Sequence, residues 1–240
     1  MYREFKIKEP FFEIGPKAYL YGKDVVSLAK AADRISEKYG IPIIFDPQYT
    51  DIPIVARETK NLLVFAQHMD SLHIGRGYGS VLPEAIKAAG AVGVILNHSE
   101  KRITLSELNR TIKRADEVGL ATMVCADTIE EAAAIAHLCP NIIVAEEPEY
   151  IGTGKTSSAE FIRKATEVVH KINPEIKVLI GGGISSPEDV YRVIKAGALA
   201  TGSSSGVCKA QDPALMVEEM IRALCKAWSE VRRSKKYCKK

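Results

Sequence analysis

Where the apolar residues Ile142-Ile143-Val144-Ala145 stop, the chain turns at once to Glu146-Glu147-Pro148-Glu149-Tyr150-Ile151-Gly152-Thr153-Gly154. A carboxylate at the C-terminal end of a strand, followed by a glycine-hinged loop, suits taking a proton from a substrate that the loop then covers. Taken alone, the segment reads equally well as a solvated acidic loop whose glycines serve turn geometry.

The residues that follow the other apolar runs complete a set. They are Gly15-Pro16-Lys17, Gln67-His68, Asn97-His98-Ser99-Glu100-Lys101-Arg102, Gly181-Gly182-Gly183-Ile184-Ser185 and Ser203-Ser204-Ser205-Gly206. Glycine lets backbone N–H groups approach an anion, and the start of a helix adds unpaired donors with a favourable dipole. Two such turns, after the seventh and eighth runs, point to a phosphate, although either alone also suits plain backbone geometry. Taken singly, His98 fits a hydrogen-bonded structural imidazole, Glu100 an ion-pair partner and Lys17 a cation for a charged ligand. Around one phosphate pocket, Glu146, His98 and Lys17 supply a base, a proton donor to oxygen and a charge stabiliser. Those are the requirements of proton transfer next to a carbonyl.

Bringing these residues together is the task of the elements between them. Strand-like runs rich in Val and Ile occupy 10–15, 41–45, 62–66, 92–96, 121–125, 141–145, 177–180 and 198–203. Amphipathic segments at 24–39, 105–118, 129–138, 158–172, 187–196 and 213–232 separate most of them. Ser186-Pro187 and Asp212-Pro213 each put a capping side chain before proline at the first helical position. Alternating units without a composition break predict an α/β fold of one domain, residues 1–240, closed as a (β/α)8 barrel. A flavodoxin-like or Rossmann sheet is the alternative, but no Gly-x-Gly-x-x-Gly turn follows the first run.

Composition narrows the function classes. The 240 residues are 46% apolar and carry 33 Lys+Arg against 30 Asp+Glu, a formal net of +3. That near balance leaves no nucleic-acid footprint, because the basic residues crowd a tail from about 232 that reads as solvated and frayed. Five cysteines and five histidines lack zinc or disulfide spacing, so no metal is expected and a reducing compartment is. The opening Met1-Tyr2-Arg3-Glu4-Phe5-Lys6 lacks the apolar core of a signal peptide, and no apolar run reaches membrane-spanning length. A soluble cytoplasmic protein with no membrane partner is the expectation.

Three motifs together resemble one family. Asn97-His98-Ser99-Glu100-Lys101-Arg102, Glu146 with Ile151-Gly152-Thr153-Gly154, and Gly181-Gly182-Gly183-Ile184-Ser185 are similar to those of triosephosphate isomerases, especially the shorter archaeal-type branch. Ala66-Gln67-His68, Leu82-Pro83-Glu84-Ala85, Val124-Cys125-Ala126-Asp127-Thr128 and Gly206-Val207-Cys208-Lys209-Ala210-Gln211-Asp212-Pro213 extend the likeness over about 15–213. The resemblance implies a TIM barrel that interconverts dihydroxyacetone phosphate and glyceraldehyde 3-phosphate through an enediolate, without a cofactor. By the same likeness Glu146 moves the proton between carbons, while His98, a neutral imidazole, polarises the carbonyl and passes protons between oxygens. Lys17 offsets charge on the enediolate and phosphate, and Glu100 is an auxiliary acid. Gly152, Gly183, Ser185, Ser204 and Ser205 bring donors to the phosphate, beneath a lid formed by 146–154. Self-association as a dimer or tetramer is also implied. The loop 71–80, with Ile74, Arg76 and Tyr78, is a candidate contact, or simply a cover for its own barrel.

Three positions depart from that pattern. Gly15 stands where the family has asparagine in Asn-x-Lys, which removes a donor near the substrate oxygen or leaves room for a larger substrate. This motivates two alternatives: an isomerase of another phosphorylated ketose, such as a four-carbon one, or a sugar-phosphate-binding paralogue without catalysis. Glu147 replaces a proline and sets a second negative charge beside Glu146, or points outward. Lys101 replaces an arginine in an expected structural ion pair.

Overall fold

The computed structural model describes residues 1–151, 153 and 155–237, with side chains through 233. Eight strands, β1 (Phe11–Ile14), β2 (Ile43–Phe45), β3 (Leu62–Ala66), β4 (Gly93–Leu96), β5 (Ala121–Ala126), β6 (Ile142–Ala145), β7 (Lys177–Ile180) and β8 (Ala200–Ser203), close into a barrel in chain order. All pairings are parallel, and β1 seals the ring against β8 with Phe11 opposite Ala200. Strand side chains alternate between faces. One set, including Phe11, Ile44, Phe65, Ile95, Met123 and Leu179, fills the barrel interior. The other, including Phe12, Ile43, Phe45, Val124, Ile143 and Val178, packs against the helices. Burial on both faces is why these strands read as nearly continuous apolar runs.

The connecting helices are α1 (Gly22–Tyr39), α2 (Ile52–Glu58), α3 (Pro83–Ala88), α4 (Leu105–Val118), α5 (Ile129–Ala136), α6 (Ala159–Ile172), α7 (Pro187–Lys195), α8 (Ser205–Cys208) and α9 (Pro213–Tyr237). Side chains of Thr104, Thr128, Ser158 and Ser186 accept a first-turn N–H, and Asp189 completes a capping box with Ser186. The short helices α2, α3 and α8 escape the periodicity because so few turns do not repeat an apolar stripe. The basic segment expected to fray from about 232 instead continues α9 to Tyr237. No glycine or proline interrupts residues 214–237, and lysine and arginine are good helix formers. No described helix is long and apolar enough to cross a membrane.

Candidate active site

The C-terminal ends of the strands surround a cavity of about 590 Å³, into which the β1, β4, β6, β7 and β8 loops send their polar residues. Glu146 directly follows β6, its N–H donating to the Ala126 carbonyl at 3.1 Å, and it lines the cavity. It is 6% exposed, and its Oε1 has no hydrogen-bond partner among the described residues. Glycine at 181 makes the room: an added Cβ would lie 3.0 Å from Glu146 Oε2. Burial pushes the Glu146 carboxyl up to about 7, against the charge of Lys17 and with those of Glu13, Asp127 and Glu100. The result is a base that can take and return a proton near neutrality.

His98 is aimed by the residue before it. Asn97 sits in the left-handed region at φ 60. Its amide donates to the Cys125 carbonyl at 3.0 Å and to Glu131 at 3.1 Å, and its oxygen accepts from Ile103 N–H at 3.3 Å. The His98 Nδ1 accepts the Glu100 N–H at 3.1 Å. An accepting Nδ1 leaves the single proton of a neutral ring on Nε2, the atom 3.8 Å from Glu146 Oε1. Burial first, then the charge of Lys17, pulls the imidazole down to about 4, so it is uncharged at neutral pH.

Lys17 reaches the same cavity from β1 despite the Gly15-Pro16 lead-in. Its φ of 48 is unfavourable for a side-chain-bearing residue. The Gln48 and Gln67 amides hold it there, donating to the Lys17 carbonyl at 2.7 and 3.1 Å. Its Nζ donates to Glu100 Oε1 at 2.8 Å. Burial acts to lower its pKa, but the hydrogen bond and charge of Glu100, then the charges of Glu146 and Glu13, prevail and raise it. Glu100 therefore serves as the partner of Lys17. The ion pair expected of Lys101 is formed by its neighbour: Arg102 bonds Glu131 and lies 3.2 Å from Asp127, whereas Lys101 makes none among the described residues.

On the β7–β8 side the two anion-type turns touch. Gly183 has φ 72, and a Cβ there would meet the Lys155 carbonyl at 1.7 Å, so only glycine fits. The Ser203 hydroxyl donates to the Ile184 carbonyl at 2.8 Å, tying one turn to the other. Ser204 precedes α8 with its Oγ buried and unpartnered, and the N–H groups of Ser205 and Gly206 open the helix, where no intrahelical acceptor exists. Ser185 differs from expectation. Its N–H and hydroxyl both donate to Asp189, at 3.1 and 2.9 Å, so its donors serve α7. Gly152 and Gly154, expected to hinge the lid and bind phosphate, lie outside the described residues.

The wall beside Gly15 holds two residues that the motifs did not single out. Glu13 occupies an inward position of β1, and Asp46 follows β2; both line the cavity. A Cβ on Gly15 would lie 2.6 Å from Glu13 Oε1 and 3.3 Å from Asp46 Oδ2, so the room expected there is already taken by carboxyl oxygens. The available signal was a lone glutamate in the apolar run Phe11-Phe12-Glu13-Ile14, at a position whose alternation points into the barrel.

The family model described as triosephosphate isomerase matches residues 16–223. The chain is 40% identical to the triosephosphate isomerase of Methanobacterium bryantii, over 90% of this chain and 98% of that one. It is 41% identical to that of Methanosarcina mazei, over 89% and 98%, and 39% identical to that of Sulfolobus acidocaldarius, over 92% and 97%. Among solved structures, the triosephosphate isomerase of Bartonella henselae superposes with a TM-score of 0.72 at 16% identity, covering 89% of this chain and 98% of that one, a likeness of fold.

Proposed function

This chain belongs to the triosephosphate isomerase family, and from that premise we propose how its own residues interconvert dihydroxyacetone phosphate and glyceraldehyde 3-phosphate. The observation that carries the proposal is the approach of Glu146 Oε1 to His98 Nε2, 3.8 Å apart in the wall of the 590 Å³ cavity. A substrate whose carbon lies on Glu146 has its oxygens within reach of the imidazole.

The ionised Glu146 removes a proton from the carbon next to the carbonyl, and the electron pair moves to the carbonyl oxygen. His98, neutral with its proton on Nε2, donates to that oxygen and then accepts the proton of the neighbouring hydroxyl, so the ring ends as it began. Glu146 returns its proton to the second carbon, which becomes the new stereocentre or loses it in the reverse direction. A neutral imidazole suits this exchange because its donor strength is closer to that of an enediol than an imidazolium's is. Lys17 balances the negative charge that develops on oxygen, and its link to Glu100 keeps the ammonium in place. The N–H groups opening α8, the Ser204 hydroxyl and the Gly181–Gly183 turn receive the phosphate. The segment from Glu146 through the short 3-10 turn Pro148–Tyr150 is the near end of the lid that excludes water.

The test is conversion of glyceraldehyde 3-phosphate by the purified chain and by Glu146→Gln. Turnover that collapses in the variant supports the assignment; equal rates in both chains refute it. Self-association belongs to the same reading. Ile74 and Tyr78 stand exposed on the loop 71–80, and sedimentation of Tyr78→Ser at unchanged mass would count against that contact.

A further inference from the structure

The wall formed by β1 and β2 carries two carboxyls for which the proton transfer described above has no use. Glu13 lies between Ile44 of β2 and Gly202 of β8 in the barrel register. Its side chain is enclosed by strands, and the surface it keeps open belongs to the cavity wall. Glycine fits closely opposite it, because a Cβ on Gly202 would lie 2.9 Å from the Glu13 carbonyl oxygen and 2.2 Å from Glu13 Oε2. Asp46, 4% exposed, brings its Oδ2 to the same point as Glu13 Oε1, 3.3 and 2.6 Å from where a Gly15 Cβ would lie, and its Oδ1 is buried with no partner among the described residues. Gly15 and Gly202 make a built recess shaped around the two acids, with Asp46 Oδ1 enclosed behind and the partly exposed Glu13 carboxyl facing the cavity.

Two carboxylates this close do not both ionise. The groups facing the pair sharpen that restriction. Lys17 is the cation on this side, and it is already bonded to Glu100. Cys125 from β5, Glu146 from β6 and Cys208 from α8 face it as neutral or negative groups, while β3 supplies the neutral amide of Gln67. A substrate phosphate and a developing enediolate add further negative charge to the same enclosure, which favours the protonated forms of its neighbours.

We propose that in the loaded site Glu13 and Asp46 are both protonated, and that the pair donates a hydrogen bond from the β1–β2 wall to a substrate oxygen, opposite His98. One carboxyl proton bridges the pair and the other points to the substrate. Neither leaves, so the pair is a donor and not a second acid. This places a hydrogen-bond donor where Gly15 has no side chain, and it makes Glu13 and Asp46 determinants of how the reacting end is held. The inference rests on the isomerase reading for the identity of that oxygen.

Two arms test it. In the first, kcat and KM for glyceraldehyde 3-phosphate are compared for Glu13→Gln, which keeps an N–H donor of the same length, and Glu13→Met, which keeps the volume without one. The pair predicts that Glu13→Met loses about 10² in kcat with KM nearly unchanged, and that Glu13→Gln recovers at least about tenfold of it. Equal rates in the two variants overturn the proposal. The second arm needs no turnover. Infrared difference spectra of the Glu146→Gln chain loaded with 2-phosphoglycolate at pH 8 should show the carbonyl stretch of protonated carboxylic acid, weakened on Asp46→Asn and again on Glu13→Gln. Absence of that band overturns the proposal. A wild-type chain that fails to convert the triose phosphate refutes the isomerase reading instead, and the infrared arm still judges the pair.

Discussion

Glu146 on the β6 side and Glu13 on the β1 side are both pushed up to about 7, in each case chiefly by burial, yet they are equipped for different work. Glu146 has an oxygen without a partner among the described residues and a neutral imidazole 3.8 Å away, so one substrate lying along the cavity can meet both. Glu13 is braced by Asp46 and fitted against Gly15 and Gly202. The same shift in proton affinity therefore makes one carboxyl a mobile base and the other part of a fixed wall. A perturbed carboxyl identifies a site, but the atoms around it decide the role.

Substitutions that break this contrast should differ in what they change. The largest effect is expected for Glu146→Gln, a loss of about 10³ in kcat with the fold intact, read from steady-state rates beside circular dichroism. In the wild type, kcat/KM should rise with pH through about 7 as Glu146 ionises. A flat profile would remove the carboxyl from that role.

Glu13→Gln addresses the wall through stability. A carboxyl whose folded-state pKa lies above its unfolded value stabilises the fold fully below the unfolded value, near 4.5, and that contribution is lost as pH rises through about 7. The wild type should therefore lose as much as about 3 kcal/mol across this window, a loss the amide variant avoids. Urea unfolding at pH 5 and pH 8 measures it, and a parallel pH dependence in the two chains would contradict it. Gly202→Ala should destabilise by about 1 to 3 kcal/mol, because its Cβ meets the Glu13 carbonyl at 2.9 Å as well as the carboxyl. Gly202→Ala combined with Glu13→Ala should recover only part, and full recovery would show that backbone crowding is unimportant. The smallest effect belongs to Lys101→Ala, within about 0.5 kcal/mol, against a larger loss for Arg102→Ala. Reversal of that order would return the structural ion pair to Lys101.

Much of this was legible before any coordinates. All eight strands fall within two residues of the apolar runs, because a parallel barrel buries both faces of each strand and writes that burial as continuous Val, Ile and Phe. Glu146, His98 and Lys17 stood out because each lies within two residues of the end of such a run, at the end of the barrel where loops converge. The commitment of Ser185 to Asp189 was hidden in a capping pattern, Ser186-Pro187-Glu188-Asp189, whose reach back to Ser185 depends on the turn.

The amino-acid sequence by itself determined the number of units, the order in which they close and the residue types at the β4 and β6 strand ends, since periodicity and abrupt polarity changes are local properties. Only the tertiary structure decided which nitrogen of His98 carries the proton, which base of the pair Lys101 and Arg102 anchors the loop, and what fills the gap at Gly15. The last two are settled by contacts between segments tens of residues apart, and the first by the fold of the loop that turns the Glu100 N–H onto the ring. Glu13 on β1 and Asp46 just past the end of the neighbouring β2 are far apart in the chain and meet because pairing those strands turns both side chains into one small volume. Burial there, and not the identity of either residue, governs where their protons sit.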